Sequence, residues 1–390
     1  MRRELLSSTS WILWRGARSI AILVPALVWY CGLDAKPAHA QSGPSTPKNV
    51  PFCSAGFGGE GCQGPTTTPG ADISSSMQRQ IEQRLEQIRC ENKLDPACIT
   101  QGGASEDATA SLNGFSWFVS GEYQHKDRDH TAFDLGFDQN TVGGTAGIDY
   151  RIGTSGVIGG AFNYRHGFGQ YKNDYGDFHT DTETFILYGS YFPTDQSFID
   201  MSVGLAPKDF SDTHNDTNGT GTEVSGNTNG FEFTGDINGG YDFSFDAFTV
   251  GPRLGFHYKH TRLDGFTETA SVVGANTDRY LSQTDESATS TVGGQASYAI
   301  STSFGVVVPQ VNAEYVHEFA ARQRNDAQPG GAGPIVTFAE DKPDRDYFNV
   351  GAGVVFVLPD GISPFLNFQA EVGNSLESTQ TVTAGVRIEM

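Results

Sequence analysis

The sequence is poor in basic residues. Its 390 residues include 25 Lys and Arg against 46 Asp and Glu, a formal charge of −21. A nucleic-acid-binding protein needs a basic surface that neutralises phosphates, so this composition argues against nucleic acid as a partner. An acidic charge of this size suits an exported surface protein, although it names no ligand for the external loops.

The short motifs of common hydrolases are also missing. There is no Gly-x-Ser-x-Gly elbow, no esterase-like Gly-Asp-Ser block and no His-Glu-x-x-His zinc site. We therefore expect no catalytic residues, no metal and no cofactor, and interpret the chain as a non-enzyme.

Two polar clusters are the alternatives to that interpretation. The run His125-Lys126-Asp127-Arg128-Asp129-His130 has the residue types of an acid–base or metal site, as in omptin-type surface proteases. A solvated external loop of mixed charge is the interpretation we prefer. The stretch Ser211–Asp216 offers oxygen ligands without the spacing of a calcium loop.

Long hydrophobic runs are absent as well. The apolar stretch 20–30 is too short to span a bilayer as a helix, which argues against a membrane anchor. It follows four arginines and precedes the small-residue site Ala38-His39-Ala40, the order of a secretory signal peptide. We predict that residues 1–40 are a signal peptide cleaved after Ala40. Cys31 lacks the preceding small residues of a lipoprotein site and leaves with the signal peptide.

Cleavage makes the chain more acidic and leaves four cysteines. Removing five basic and two acidic side chains leaves 20 Lys and Arg against 44 Asp and Glu, a formal charge of −24. The four cysteines are Cys53, Cys62, Cys90 and Cys98. In an exported chain they predict disulfides, first Cys53 with Cys62 and Cys90 with Cys98, although four cysteines allow three connectivities. A zinc site is the weaker alternative, because no Cys-x-x-Cys pair is present.

The region before the strands divides into two parts. Residues 41–74 are rich in Pro, Gly, Ser and Thr and predict a tether with one small disulfide loop. Residues 75–110 predict a short amphipathic helix and a linker. Ser75 and Gln78 form a capping-box pair, and Met77, Ile81, Leu85 and Ile88 follow at helical spacing. The helix, Ser75 to Arg89, is a candidate plug, or else a local helix that packs on a neighbour.

Residues 111–390 carry a strand pattern. Alternation of period two predicts twelve strands, most of them about as long as a tilted strand that crosses an outer membrane, roughly 9 to 11 residues. The predicted strands are 115–124, 141–152, 156–166, 180–191, 197–206, 229–243, 247–259, 286–300, 304–319, 346–358, 362–373 and 379–390. The connections after strands 2, 4, 6, 8 and 10 are short, whereas those after strands 1, 3, 5, 7 and 9 are long and polar. This alternation is typical of an outer-membrane barrel with short periplasmic turns.

The two faces of each predicted strand differ in polarity. Strand 7 sets Phe248, Val250 and Leu254 against Thr249, Arg253 and Lys259. Because all twelve strands alternate, no second apolar layer remains to cover a soluble sheet, and the apolar faces should point to lipid. We expect aromatic girdles at the strand ends and polar bonds across the lumen. The girdle residues are Trp117, Tyr191, Tyr258, Tyr315 and Phe348. The inward charges are Asp149, Arg151, Arg253, Lys259, Glu314, Glu371, Arg387 and Glu389.

Predicted strands 7 and 9 contain the same short internal repeat. Pro252, Leu254, Tyr258 and His260 have the same spacing as Pro309, Val311, Tyr315 and His317. We interpret this as barrel pseudo-repetition and not as shared chemistry.

Three motifs resemble one protein family. They are Val308-Pro309 with Tyr315-Val316-His317-Glu318-Phe319, then Asp346 to Gly353, and Thr383-Ala384-Gly385-Val386-Arg387. In their order and position, from about Leu112 to Met390, they resemble the C-terminal β-domain of bacterial autotransporters. The resemblance implies an all-β fold: a transmembrane antiparallel barrel, here of twelve strands, with a short N-terminal helix leading into its pore. It also implies type V secretion in a Gram-negative outer membrane, with lipid and the barrel-assembly machinery as partners.

The chain departs from the family pattern in two places. It has Met390 where family members usually end in Phe or Trp, the residue read during barrel assembly. Residues 41–110 are too few for the usual β-solenoid passenger and show no repeats, so we expect a very short or absent passenger. A surface barrel that acts as an adhesin or small-solute pore is the alternative, and an omptin-like protease a weaker one.

Overall fold

A computed structural model describes residues 114–131, 133–215, 222–273, 277–320, 322–337, 341 and 344–389. Twelve long strands dominate this part of the chain. They are β1 (Phe115–Arg128), β2 (Phe137–Ile152), β3 (Gly156–Tyr171), β4 (Gly176–Tyr191), β5 (Ser197–Asn215), β6 (Glu223–Tyr241), β7 (Phe248–Leu263), β8 (Gln283–Tyr298), β9 (Gly305–Glu318), β10 (Asp346–Val357), β11 (Ile362–Val372) and β12 (Glu377–Glu389). Each pairs antiparallel with its neighbours in the chain.

The sheet closes on itself. β12 pairs with β1 from Ser116 opposite Glu389 to Arg128 opposite Glu377. Closure leaves no unpaired edge, and strands can cross hydrocarbon only when all their backbone N–H and C=O groups are paired. The predicted all-β barrel of twelve antiparallel strands is therefore confirmed. The predicted N-terminal helix lies outside the described residues.

Three one-turn 3-10 segments, Lys172–Asp174, Pro329–Gly331 and Pro359–Gly361, lie between the strands. Within the described residues, no helix has the length and apolar character needed to cross a membrane.

The apolar side chains point outward, as their alternation predicted. Leu187 on β4 is 73% exposed and Ile148 on β2 is 63% exposed, whereas Thr145 and Asp149 on the other face of β2 are buried. The five aromatic residues predicted for the girdles also lie on outward positions. In water these exposed apolar faces would be unstable, so lipid is the solvent that fits them.

The two ends of the barrel differ in their connections. The five turns at one end are short, namely 153–155, 192–196, 242–247, 299–304 and 358–361. β1 begins and β12 ends at this end, which is the periplasmic one by the rule for outer-membrane barrels. At the external end, the long connections are 264–282 between β7 and β8 and 319–345 between β9 and β10.

The predicted long connections after strands 1, 3 and 5 are shorter in the structure, namely 129–136, 172–175 and 216–222. β3 and β4 continue past the expected boundary, so that only 172–175 connects them. Asn173 and Asp174 take positive φ values of 62° and 56°, which close the chain in a tight left-handed turn. The prediction failed because it assigned polar segments to loops. Beyond the membrane, however, a strand can carry polar residues on both faces.

Several short strands complete the external end. Phe266–Thr267, Arg279–Tyr280, Asp326–Gln328 and Val336–Thr337 form a separate four-stranded sheet. Arg322–Arg324 pairs with β8, and Thr269–Ala270 pairs with β6. At the periplasmic end, Phe243–Phe245 and Ile300–Thr302 extend the hairpins that lead into β7 and β9. The two long external connections are thus folded together and not independent loops.

Candidate functional site: the lumen and its external end

The inner face is closely packed along β1 to β5. Every inward side chain of β1 from Ser116 to Lys126 is buried, and so is every inward side chain of β4 from Phe178 to Ser190. These side chains are mostly polar, since a water-facing lumen selects polar residues at every second position. Buried polar groups need partners, and the neighbouring strands provide them.

The Arg165–Glu122 pair is the most buried ion pair of this wall. Arg165 on β3 places Nε 2.7 Å from Glu122 Oε1 on β1, and the two side chains are 1% and 0% exposed. Arg165 Nη2 also donates to Gln124 Oε1 at 2.8 Å. The arginine crosses β2 at Gly143, where an added Cβ would lie 2.9 Å from Arg165 Cγ. A side chain at position 143 would therefore push the pair apart.

Other charges pair in the same way. Lys126 and Arg128 on β1 both bind Glu377 on β12 at 3.0 Å. Lys208 on β5 contacts Glu232 on β6, which also accepts a bond from Thr261 at 2.9 Å. Because each of these acidic side chains is paired with a basic one, the lumen wall has little excess negative charge, although the whole chain is acidic.

All eight predicted inward charges lie on the inner face. Tyr188 donates to Asp149 at 3.1 Å, Lys259 lies 3.2 Å from Asp285, and Arg151 lies 3.3 Å from Glu389. These contacts run along the wall, between strands at most two positions apart, whereas we expected bonds across the lumen. Adjacent strands are only about 4.8 Å apart, so a neighbour on the wall is closer than the opposite side.

The wall also contains two apolar clusters that the sequence reasoning missed. Near the periplasmic end, Phe118, Val157, Ile186 and Tyr188 pack together. At the external end, a second cluster comprises Leu135, Phe137, Tyr171, Phe178 and Phe210. Phe137 and Phe178 meet edge to face at 5.4 Å between ring centroids. The available signal was aromatic residues on inward positions of β2 to β5.

The inner face of β9 to β11 is more open. Three of its polar side chains, Glu318, Ser363 and Asn367, are buried, but six remain partly exposed: Gln310, Asn312, Glu314, Asn349, Gln369 and Glu371. Their neighbours include Gly351 and Gly353, which add no side chain to the lumen. We call β1 to β5 the packed wall and β9 to β11 the open wall.

A buried histidine ties the external end together. His214 on β5 contacts Asp212 at 3.0 Å through Nδ1 and Glu268 at 3.2 Å through Nε2, and all three side chains are at most 3% exposed. Burial alone would lower the pKa of His214, but its hydrogen bonds to the two carboxylates outweigh burial and raise the pKa to about 9. The imidazolium therefore bridges β5 and the 264–282 connection at neutral pH.

The same network reaches the other long connection. Glu268 accepts from the Asp278 N–H at 2.8 Å, and Asp278 accepts from the Gly330 N–H at 2.9 Å. Burial raises the pKa of Asp278, and the charge of Glu268 adds to the shift. Three segments of the external end thus share one chain of charged hydrogen bonds.

The run from His125 to His130 is not a single site. Its first four residues belong to β1, so their side chains alternate between the two faces of the barrel. Lys126 and Arg128 face the lumen, whereas His125 faces outward and contacts Asn140 Oδ1 at 3.0 Å. The predicted solvated loop is thus wrong for residues 125–128, because the strand runs beyond the membrane. Of the Ser211–Asp216 stretch, Ser211–Asn215 belongs to β5, where Asp212 binds His214.

No group of three or more His, Cys, Asp or Glu side chains in the described residues has the arrangement of a metal site. The four cysteines, the signal peptide and the plug-helix segment 75–89 all lie outside the described residues.

Comparison with known proteins decides the family. The model of the autotransporter β-domain matches residues 101–369, more than half of the chain. The chain belongs to this family. It is an autotransporter-type β-barrel of the Gram-negative outer membrane, and its outward apolar faces contact lipid. No curated protein sequence matches it at a significant level.

Two solved autotransporter barrels have the same fold. The translocator domain of autotransporter NalP from Neisseria meningitidis is 11% identical, with a TM-score of 0.59 over 83% of this chain and 100% of that one. The β-domain of the Bordetella autotransporter Brka is 16% identical, with a TM-score of 0.53 over 71% of this chain and 100% of that one. At these identities the likeness concerns the fold alone.

Proposed function

We propose that the barrel is a translocator that brings the segment before it, residues 41–110, to the cell surface. The observation that carries the proposal is the position of Gly114. Its carbonyl accepts from the Arg151 N–H at 2.8 Å, beside the periplasmic turn that follows β2. The described chain therefore begins at the periplasmic mouth, and we propose that the lumen is the route by which the preceding segment reaches the outside.

The two walls support this role. The packed wall provides the stability of the barrel, while the open wall offers partly exposed polar groups to a passing or resident chain. The amphipathic segment 75–89 then rests in the lumen against β9 to β11, and residues 41–74 form the displayed tether. The barrel is not an enzyme on this proposal.

Epitope tags test the route. A tag inserted between Thr67 and Thr68 should bind antibody on intact cells. A tag after Val273, a fully exposed residue of the 264–282 connection, is the positive control, and a tag in the 153–155 turn should stay inaccessible. If the first tag is detected only after the outer membrane is permeabilised, residues 41–110 are not exported and the proposal is wrong.

A small-solute pore is the second candidate, favoured by the partly exposed inner face of the open wall. Deleting residues 41–110 distinguishes the two. A translocator with a resident plug predicts that planar-bilayer conductance rises on deletion. Conductance that is already high in the full chain, and unchanged by the deletion, favours the pore.

We also propose how the chain is processed and inserted into the membrane. The signal peptide is cleaved after Ala40, so N-terminal sequencing of the outer-membrane form should begin at Gln41. Cys53 pairs with Cys62 and Cys90 with Cys98, which peptide mapping without reduction would detect. The barrel-assembly machinery inserts the chain, and its depletion should reduce the heat-modifiable, folded form.

A further inference from the structure

The outer surface carries a repeated three-residue motif near its external edge. Tyr-x-His occurs on four strands that run outward: Tyr123 and His125 on β1, Tyr164 and His166 on β3, Tyr258 and His260 on β7, and Tyr315 and His317 on β9. The repeat that strands 7 and 9 share is thus one half of a pattern that occurs four times around the barrel.

Each histidine lies directly opposite a polar acceptor on the next strand. The four pairs are His125 with Asn140, His166 with Asp181, His260 with Glu286 and His317 with Asp346. Four exact coincidences of register indicate one recurring site and not general barrel repetition. Barrel pseudo-repetition alone therefore does not explain the repeat in strands 7 and 9.

The side-chain contacts repeat as well. Tyr164 donates to Asp181 at 2.5 Å, and His166 Nδ1 lies 2.9 Å from the same oxygen. Tyr123 and His125 share Asn140 Oδ1 at 2.6 and 3.0 Å. Tyr315 and His317 share Asp346 Oδ1. At the fourth site Tyr258 donates to Glu286 at 3.0 Å. We call these the ring sites.

The ring sites lie at the external edge of the apolar band. The histidines come ten residues (β1, β3) or twelve residues (β7, β9) after the first residue of their strands. At a strand tilt of about 40° this places them roughly 26 to 31 Å above the periplasmic end, against an apolar band about 25 Å tall. On β9 the outward residues below His317 are Tyr315, Ala313 and Val311. The imidazoles are therefore at the height of lipid headgroups.

Permanent positive charge is scarce on this surface. Among the outward positions of the twelve described strands, Arg262 is the single Lys or Arg, whereas five histidines are present, all near the external edge. Anionic headgroups at this level need hydrogen-bond donors or cations on the protein. Histidine is the residue type that the strands offer them.

The contacts fix which imidazole nitrogen faces outward. At three sites Nδ1 is directed at a carboxylate or amide oxygen, which can only accept, so Nδ1 holds a proton. Nε2 is left for a partner, and the His166 and His317 side chains are 44% and 35% exposed. Once protonated, Nε2–H is a charged donor suited to a phosphate oxygen.

We propose that the four ring sites bind the phosphate groups of lipid headgroups in the external leaflet. At the sites of His125, His166 and His317 the imidazole bridges a barrel acceptor and a lipid phosphate, and at all four sites the Tyr hydroxyl holds the acceptor in place. The apolar band directly below favours a phosphate attached to acyl chains over a free one.

Other ionisable groups surround the imidazoles. They are Asp127, Asp138 and Lys172 around His125; Tyr164, His179, Asp181, Glu183 and Asp209 around His166; Tyr258, Arg262 and Glu286 around His260; and Tyr315, Arg345 and Asp346 around His317.

A lipid titration tests the proposal. The full chain and a variant with His125→Gln, His166→Gln, His260→Gln and His317→Gln are purified in a neutral detergent and titrated with dioctanoyl phosphatidic acid at pH 6. At pH 6 the fourfold variant should bind about tenfold more weakly, since each exposed charged contact contributes a few tenths of a kcal/mol. Dioctanoyl glycerol should bind both proteins equally.

His257→Gln is the matched control. His257 also contacts a carboxylate, Asp236 at 2.8 Å, but it faces the lumen. This variant should bind phosphatidic acid like the unaltered protein. If it loses as much affinity as the fourfold variant, or if the fourfold variant loses none, the ring is not a lipid site. Competition by inorganic phosphate at concentrations equal to the lipid would indicate a site for free phosphate instead.

The folding of each variant is checked by gel electrophoresis, because a folded outer-membrane barrel migrates differently before and after heating. Should the fourfold variant fail to fold, the pair His166→Gln and His317→Gln carries the test, with an expected loss of about threefold at pH 6.

Discussion

The packed wall and the open wall share one strand pattern but differ in what lies on their inner faces. On β1 to β5 the inward residues combine buried ion pairs with two apolar clusters. On β9 to β11 they include six partly exposed amides and carboxylates beside glycines, although Val316, Glu318, Ser363 and Asn367 are buried. Period-two alternation selects polar residues for both walls, so the difference arises from how side chains of neighbouring strands fit together. One half of the lumen stabilises the barrel and the other half remains accessible.

Breaking the buried ion pair should have the largest effect. Glu122→Ala leaves the Arg165 guanidinium without its carboxylate at a site that is 1% exposed. We expect the free energy of unfolding to fall by about 3 to 5 kcal/mol. Denaturant titration of the purified barrel measures it.

Arg151→Ala is the control for this pair. Arg151 and Glu389 are 27% and 23% exposed, so their separation should cost less than about 1 kcal/mol. Equal losses in both variants would contradict the distinction between buried and accessible pairs.

The external apolar cluster should come next. Phe178→Ala removes a side chain that is 0% exposed, in contact with Phe137, Tyr171 and Phe210. A loss of about 3 kcal/mol is expected from the buried area and the cavity left behind. Phe185→Ala, on the lipid side of the same strand and 55% exposed, should cost clearly less. A reversed order would mean that the cluster does not support the barrel.

The external end should loosen at high pH. The pKa of His214 rises from about 6.5 in the unfolded chain to about 9 in the fold, so the folded protein holds this proton more tightly. The stabilisation is complete below pH 6.5 and is lost as the pH rises through 9, with a magnitude of about 3 kcal/mol. The groups that face His214 are Asp212, Glu268, Asp278 and the ring of Tyr175.

Limited proteolysis with proteinase K would follow this change. The 264–282 connection should become cleavable between pH 8 and pH 10 in the unaltered protein. In His214→Gln, which cannot take up the proton, cleavage should be similar at both values. Cleavage of the unaltered protein that does not depend on pH would argue against the imidazolium bridge.

A change on the open wall should have the smallest effect on stability. Glu314→Gln replaces a partly exposed inward carboxylate of β9 and should alter the free energy of unfolding by less than about 0.5 kcal/mol. Because it removes a negative charge from the accessible side of the lumen, it should lower the preference of the barrel for cations in bilayer recordings. A large loss of stability would place β9 with the packed wall.

Much of the fold could be predicted from the sequence. The alternation of strands such as β7 and β12 indicated which face meets lipid, and the short turns indicated which end is periplasmic. Both predictions depend on local pattern, and a membrane barrel enforces that pattern at every strand.

The extensions beyond the membrane and the packed wall could not be predicted in this way. Past the apolar band, Asp209 and Thr213 of β5 meet water on one face while His214 is buried on the other, which removes the contrast that marks a strand. Arg165 and Glu122 become partners only through the register of three strands. The ring sites were visible as Tyr-x-His, but their acceptors on the next strands required the register as well.

Thiol labelling tests the difference between the two walls most directly. Thr184→Cys on β4 and Asn349→Cys on β10 place single thiols on the inner faces of the packed and open walls, and the unaltered chain reports the background of its own cysteines. In the folded barrel, a small water-soluble methanethiosulfonate should label position 349 at least about ten times faster than position 184. Equal rates at the two positions would contradict the account of a lumen with one packed and one accessible wall.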